Sequence, residues 1–200
     1  VAVTLRDGSR VVLRPIRPDD KEALVAGFER LSDESRYRRF LSPTTRLSPS
    51  QLRYLTEVDH DRHEAIIAFA EETGEPVGVA RYVRHPDDPT DAEPAVTVVD
   101  DWQSRGLGTA LLEEITQRAR AAGVKRFIAT VLATNRPMIA LIEHLGGGAT
   151  ERIDGGVVRI EAELPPVGTA AHLRAALRDA AAERLSMAPV NSGEWPRRPD

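Results

Sequence analysis

The chain has 200 residues, 41 % of them apolar, a formal net charge of −4 and no cysteine. That length suits one domain with its own core. The missing cysteines exclude disulfides, thiolate metal sites and a cysteine nucleophile, and the acidic balance argues against broad nucleic-acid binding, which needs a basic face. No apolar run approaches the roughly 18 residues of a membrane span, and no basic-then-apolar leader opens the chain, so a cytoplasmic protein without membrane attachment is expected.

In chain order, Val3, Leu5, Val11 and Leu13 alternate around Asp7-Gly8, a favoured pair for a tight turn, and predict a hairpin over 2–14. Pro18, Asp19 and Asp20 open a helical pattern through Ala23, Leu24, Phe28 and Leu31, with the acidic residues at the end that the helix dipole favours. Ser32 and Ser48 read as the starts of two further short helices. Residues 64–70 and 77–83 predict an antiparallel pair about Thr73-Gly74-Glu75-Pro76. The segment 85–94, HPDDPTDAEP, reads as a proline-broken acidic loop and 95–99 as a strand. Leu107, Leu111, Ile115, Ala119 and Ala122 recur at helical spacing until Gly123. A strand over 126–132, a helix over 135–145 and a hairpin of 149–153 and 157–164 about Asp154-Gly155-Gly156 complete an α/β (mixed α+β) domain over 1–164. In the extension 165–200, Leu173, Leu177 and Leu185 mark an alanine-rich helix over about 169–185, and a polar tail expected to be disordered follows.

The stretch Gln103-Ser104-Arg105-Gly106-Leu107-Gly108 lies between a predicted strand and a predicted helix. The unpaired N–H groups of a helix's first turn attract phosphate. Glycines at 106 and 108 allow a pyrophosphate to approach the main chain, and Arg105 adds charge at the rim. The same glycines also fit a tight strand-to-helix turn with no ligand. Other nucleotide signatures fail: a Rossmann fingerprint wants glycine where Leu111 stands, and a Walker motif wants Gly-Lys-Ser/Thr after a longer spacer.

Gln-x-x-Gly-x-Gly after a strand resembles the acetyl-CoA pyrophosphate loop of the GNAT acetyltransferase superfamily, and Asn135 with the helix after it resembles that family's next motif. The stretches LRPIRPDD, LSDESRYRRFL, YLTEVDHDRHEA, AEPAVTVVDDWQSRGLGTALL and VLATNRPM are similar to the catalytic domain of bacterial protein lysine acetyltransferases of the Pat type, over roughly 1–164. The resemblance implies a GNAT fold, with a mixed, mostly antiparallel, splayed sheet flanked by helices. It implies acetyl-CoA as acetyl donor and an amine acceptor, a protein lysine first, with a small amine or a non-catalytic acyl-CoA sensor as alternatives. In such a fold main-chain groups of Val98 and Val99 pair with the pantetheine amides, and Gln103, Ser104, Arg105, Gly106, Leu107, Gly108 and Thr109 hold the pyrophosphate. Asn135 caps its helix, contacts the cofactor, or does both.

A lysine ammonium of pKa about 10.4 is no nucleophile until it loses a proton. Glu93 begins the strand leading to the loop, where the resemblance puts the catalytic glutamate, and is the candidate general base, with partial burial expected to raise its pKa. With Asp87, Asp88 and Asp91 it also reads as part of a solvated acidic loop, which would itself attract a cationic lysine. Many members of the family carry a tyrosine on the last helix as acid for the departing thiolate. Ile142 stands there instead, and a thiol of pKa about 8.5 leaves without immediate protonation. His144 reads as a surface histidine, and Asp59, His60, Asp61 and His63 lack a ligating arrangement, so no metal is expected. Arg36, Arg38 and Arg39 with Tyr37 and Phe40 read as a helix whose aromatics pack inward, and Trp102 as a packing anchor beside the loop. The oligomeric state stays open.

Overall fold

The computed structural model describes residues 1–146, 149–153 and 156–164. The helix expected over 169–185, the tail beyond it and the His144 side chain lie outside the described residues. Asp7-Gly8 turns the chain with Gly8 at φ 86°, joining β1 (Ala2–Thr4) to β2 (Arg10–Pro15). Pro18–Asp20 form one 3-10 turn into α1 (Lys21–Glu29). The Ser32 hydroxyl accepts from the Ser35 N–H and starts α2 (Asp33–Phe40), and Ser48 with Gln51 forms a reciprocal cap on α3 (Pro49–Thr56). There follow β3 (His63–Ala70), β4 (Pro76–Arg84), β5 (Asp91–Val98), α4 (Leu107–Ala121), β6 (Arg126–Leu132), α5 (Arg136–Gly146), β7 (Ala149–Ile153) and β8 (Val157–Glu163).

The strands form one sheet in the order β1-β2-β3-β4-β5-β6-β8-β7, antiparallel everywhere except between β5 and β6. Leu24 of α1 and Leu55 of α3 cover one face against Ile16, Ala65 and Ile67. Leu107, Leu111, Leu112 and Ile115 of α4 cover the other against Ile66, Ala68, Ala80 and Tyr82. Ile139 and Ile142 of α5 close over Ala129, Val158 and Ile160 of β6 and β8. Full burial of one such aliphatic side chain contributes about 1.5–3 kcal/mol, so the helices are held by these stripes more than by propensity. Among the described residues no helix is long and apolar enough to cross a membrane.

One expected boundary moves. The strand after the acidic loop begins at Asp91, four residues before the expected start at 95, because the Arg126 guanidinium grips the Asp91 carboxylate at 2.8 and 2.6 Å and Asp91 is buried. The loop is thereby shortened, and Asp88 orders its end by accepting from the Thr90 N–H and hydroxyl. Parallel pairing of β5 with β6 lasts for two register pairs, Asp91 with Arg126 and Ala92 with Phe127. Beyond them the two strands part.

The face under α1 and α3 carries a polar tie. Arg81 of β4 donates to the Leu55 carbonyl at the end of α3 at 3.3 Å and to His63 Nε2 on β3 at 3.0 Å. That bond leaves the ring proton of His63 on Nδ1. Burial, then the charge of Arg81, pushes His63 down from 6.5 to about 4.

Two expectations follow from this packing. A Cβ added at Gly78 would stand 2.8 Å from Leu111 Cδ1 and 3.1 Å from the Thr97 carbonyl oxygen. Gly78→Ala is therefore expected to cost about 1–3 kcal/mol by overpacking β4 against α4, read as a lower urea midpoint with an unchanged slope. The second concerns acid. Between pH 6.5 and about 4 the unfolded chain binds a proton on His63 that the folded chain refuses, so stability falls as pH drops through that window. His63→Gln, which keeps an acceptor for Arg81, is expected to flatten that part of the stability profile; an unchanged slope would reject the assignment.

Candidate active site

The parting of β5 from β6 opens a cavity of about 430 Å³, lined by Glu93 to Val98 on one side and by Thr130 and Val131 on the other. The main chain of β5 is arranged for this. The Val99 N–H donates to the Val77 carbonyl, so Val99 turns its polar groups toward β4 and residues 98, 96 and 94, in alternation, turn theirs toward the gap. Pro94, which has no N–H, thus falls where no ladder bond is lost. Gln103 Nε2 donates to the Val98 carbonyl at 3.2 Å and to the Ser35 hydroxyl at 3.3 Å, tying the end of β5 to the start of α2.

At one end of the cavity stand Gln103, Ser104, Gly106, Gly108 and Thr109. The loop is tightly wound: Ser104 has φ 62°, and Gly106, the residue before α4, has φ 92°. Leu107, Gly108 and Thr109 form the helix's first turn, so their N–H groups have no partner within the helix. Gly108 lets α4 pack closely on α5, since a Cβ there would meet Leu141 Cδ1 at 3.3 Å. Asn135 lines the cavity and also caps α5, its side-chain oxygen accepting from the Met138 N–H at 3.4 Å. Both expected roles are therefore open to one side chain. Glu93 lines the cavity too, on the strand, but it is exposed and not partly buried.

Three expected residues sit elsewhere. Val99 is buried in the core with its N–H already bonded, so it does not face the gap. Leu107 is fully buried beneath the loop, which leaves only its backbone N–H for a ligand. Arg105 does not reach the cavity: its guanidinium lies 4.8 Å from the Trp102 ring and pairs with Asp7 at 3.4 Å. Trp102 packs on the core as an anchor beside the loop. The rim charge comes from Arg6 of the first hairpin, whose side chain lies against Gly106 and whose N–H donates to the Arg105 carbonyl at 3.2 Å. Nothing local in the sequence ties residue 6 to residue 105; only the turn at Asp7-Gly8 marks a tip that has to dock somewhere.

Arg38, Arg39 and Phe40 of α2 also line the cavity. Phe40 packs inward at 5.9 Å from Phe28, as expected, whereas Tyr37 is 47 % exposed. Ile142 is fully buried against α5's own neighbours in the core, so it offers no proton to the cavity. Among the described residues no group of three or more His, Asp or Glu stands where it would hold a metal; Asp59 accepts from the N–H groups of Asp61 and His63, and His60 bonds Glu64.

An open edge strand leads from an unpaired helix N-terminus to a carboxylate. A sequence profile of the Acetyltransferase (GNAT) family matches residues 28–146. Acetyltransferase Pat of Mycolicibacterium smegmatis is 39 % identical over 172 residues, covering 84 % of this chain, and the chain spans 50 % of that relative's length. Acetyltransferase PA5475 of Pseudomonas aeruginosa is 34 % identical, with 72 % of this chain and 77 % of that protein covered. The GNAT domain of S. lividans PAT superposes with a TM-score of 0.74 at 38 % identity, covering 82 % of this chain and 96 % of the other. By sequence and by fold, this chain belongs to the GNAT family of acetyltransferases.

Proposed function

We propose that residues 1–164 transfer an acetyl group from acetyl-CoA directly to an amine, a protein lysine side chain first among acceptors, with Glu93 as general base. The observation that carries this reading is the open edge of β5, running from the first turn of α4 to Glu93. The turn fits a pyrophosphate: its N–H groups are unpaired, and Arg6 adds positive charge. Acetyl-CoA would supply the activated acyl carbonyl. The main-chain groups of Val96 and the N–H of Val98 suit an amide-bearing arm held as an added strand is held. Glu93 takes a proton from the incoming ammonium, directly or through one water, and its exposure lets it return that proton to solvent. The neutral amine nitrogen then bonds to the acyl carbon as the carbon–sulfur bond breaks, a thiolate whose acid has pKa about 8.5 leaves unaided, and the second nitrogen proton passes to solvent to leave the neutral amide. The protein-lysine acceptor rests on the resemblance of the motifs to the Pat type.

Glu93→Gln is expected to lower kcat by about 10²–10⁴-fold while a calorimetric titration gives unchanged CoA affinity. The deficit should shrink as pH rises toward the acceptor's own pKa, because solvent then supplies the neutral amine. Full turnover in the variant at neutral pH removes Glu93 as the base. Gly108→Val tests the other end: it is expected to weaken CoA binding by about tenfold or more with the fold intact by circular dichroism, and undiminished affinity would show that the helix terminus holds no phosphate.

A further inference from the structure

Two cations, Arg81 on the sheet face under α1 and α3 and Arg39 on α2, have no part in the chemistry above. Register sets Arg81 opposite Ala95 and Val83 opposite Glu93, so Arg81, Ala95 and Glu93 project from one sheet face. Arg81, 5 % exposed, and Arg39 line a smaller cavity of about 70 Å³ beneath α1. Arg39, Phe40, Ala95 and Thr97 line the large cavity as well, so the two spaces share a wall.

The charge balance here is unusual. Among the described residues neither guanidinium has a carboxylate within 4 Å. Arg81 donates to neutral acceptors, the Leu55 carbonyl and His63. The carbonyl lies at the C-terminal end of α3, whose dipole supplies about half a negative charge. Capping α3 therefore explains one edge of Arg81 and nothing about Arg39. A buried cation with no anionic partner is costly, and this one has a second cation beside it. Burial and the charge of Arg39 push Arg81 down to about 9, which leaves it charged at neutral pH. Glu93 and Tyr54 act favourably on Arg39 through space, yet Glu93 is exposed and Tyr54 is 58 % exposed.

We infer that Arg39 and Arg81 form an anion subsite beside Glu93, and that favoured acceptors carry a carboxylate close to the reacting amine. The inference rests on the acceptor amine meeting Glu93, as proposed above. The polarity is complementary: the glutamate draws the ammonium, and the arginine pair draws the carboxylate a short distance deeper. Arg39 Cζ lies 5.2 Å from the centre of the Phe40 ring, a contact that anchors the guanidinium at the shared wall. The carboxylate has two possible sources, the α-carboxylate of a free lysine-like acceptor or the side chain of an acidic residue next to a lysine in a peptide.

The test uses two matched pairs of acceptors with the full chain loaded with CoA. One pair is Nα-acetyl-lysine and its methylamide; the other is a capped Gly-Glu-Lys-Gly peptide and its Gln counterpart. Calorimetric affinity is measured first, then acetyl transfer with acetyl-CoA. We expect the carboxylate member of at least one pair to bind about tenfold tighter than its neutral twin, and the pair concerned identifies the source. In Arg39→Gln that ratio should fall to near one. Arg81→Met should do the same, and Arg39→Gln, on the more exposed helix, keeps the test valid if the buried change disturbs folding. Equal affinities within both pairs overturn the subsite, as does a ratio untouched by Arg39→Gln. A carboxylate preference in binding without any acetylated product upholds the subsite and overturns the transferase reading.

Discussion

Two parallel strands that pair for two residues and then separate leave a row of main-chain donors and acceptors without partners, and a folded chain tolerates that only where something else meets them. The whole site is arranged around this constraint. The Asp91–Arg126 pair holds the vertex, so the parting begins at a fixed residue. Pro94 sits where an N–H would have gone unused, and Gln103 takes up the Val98 carbonyl. What remains open is a short edge facing a cavity between protein walls, which admits an extended ligand while denying access to another sheet.

The two ends of that edge differ in electrostatic character for reasons of backbone geometry. At one end the α4 terminus presents partial positive charge that no side-chain titration alters, reinforced by Arg6. At the other, Glu93 stands in solvent near Arg39 and Arg81, which among the described residues have no carboxylate within 4 Å. An acetyl-CoA bound as proposed would be oriented before any contact with its central portion is made.

Much of this was legible in the sequence because it is local. Asp7-Gly8, Ser32, Ser48 and Gly106 each act within a few residues of themselves, and the turns and caps they predict are where they were expected. The amphipathic stripe of Leu107, Leu111 and Ile115 defines α4 without outside help. What escaped is set by partners distant in sequence. Asp91 belongs to a strand because Arg126, thirty-five positions on, neutralises it. Arg105 was assigned to the ligand because it lies in the loop, yet Trp102 and Asp7 hold it outward. Arg6 reaches the cavity only through a hairpin docking, and Arg81 the smaller space beside it only through a strand register, neither of which leaves a periodic signal. The exposure of Glu93 likewise depends on its tertiary surroundings, which no spacing encodes.

The N-terminal hairpin meets the α4 loop across about a hundred residues of chain, through Arg6 with the Arg105 carbonyl and Asp7 with the Arg105 guanidinium. Such a contact cannot form early: its closure entropy is offset only once β2 has found β3 and α4 has packed on the sheet. The loop therefore takes its working shape late in folding, as a consequence of the completed sheet. Its geometry thus depends on the first hairpin, which the core also holds through Leu5 and Val3.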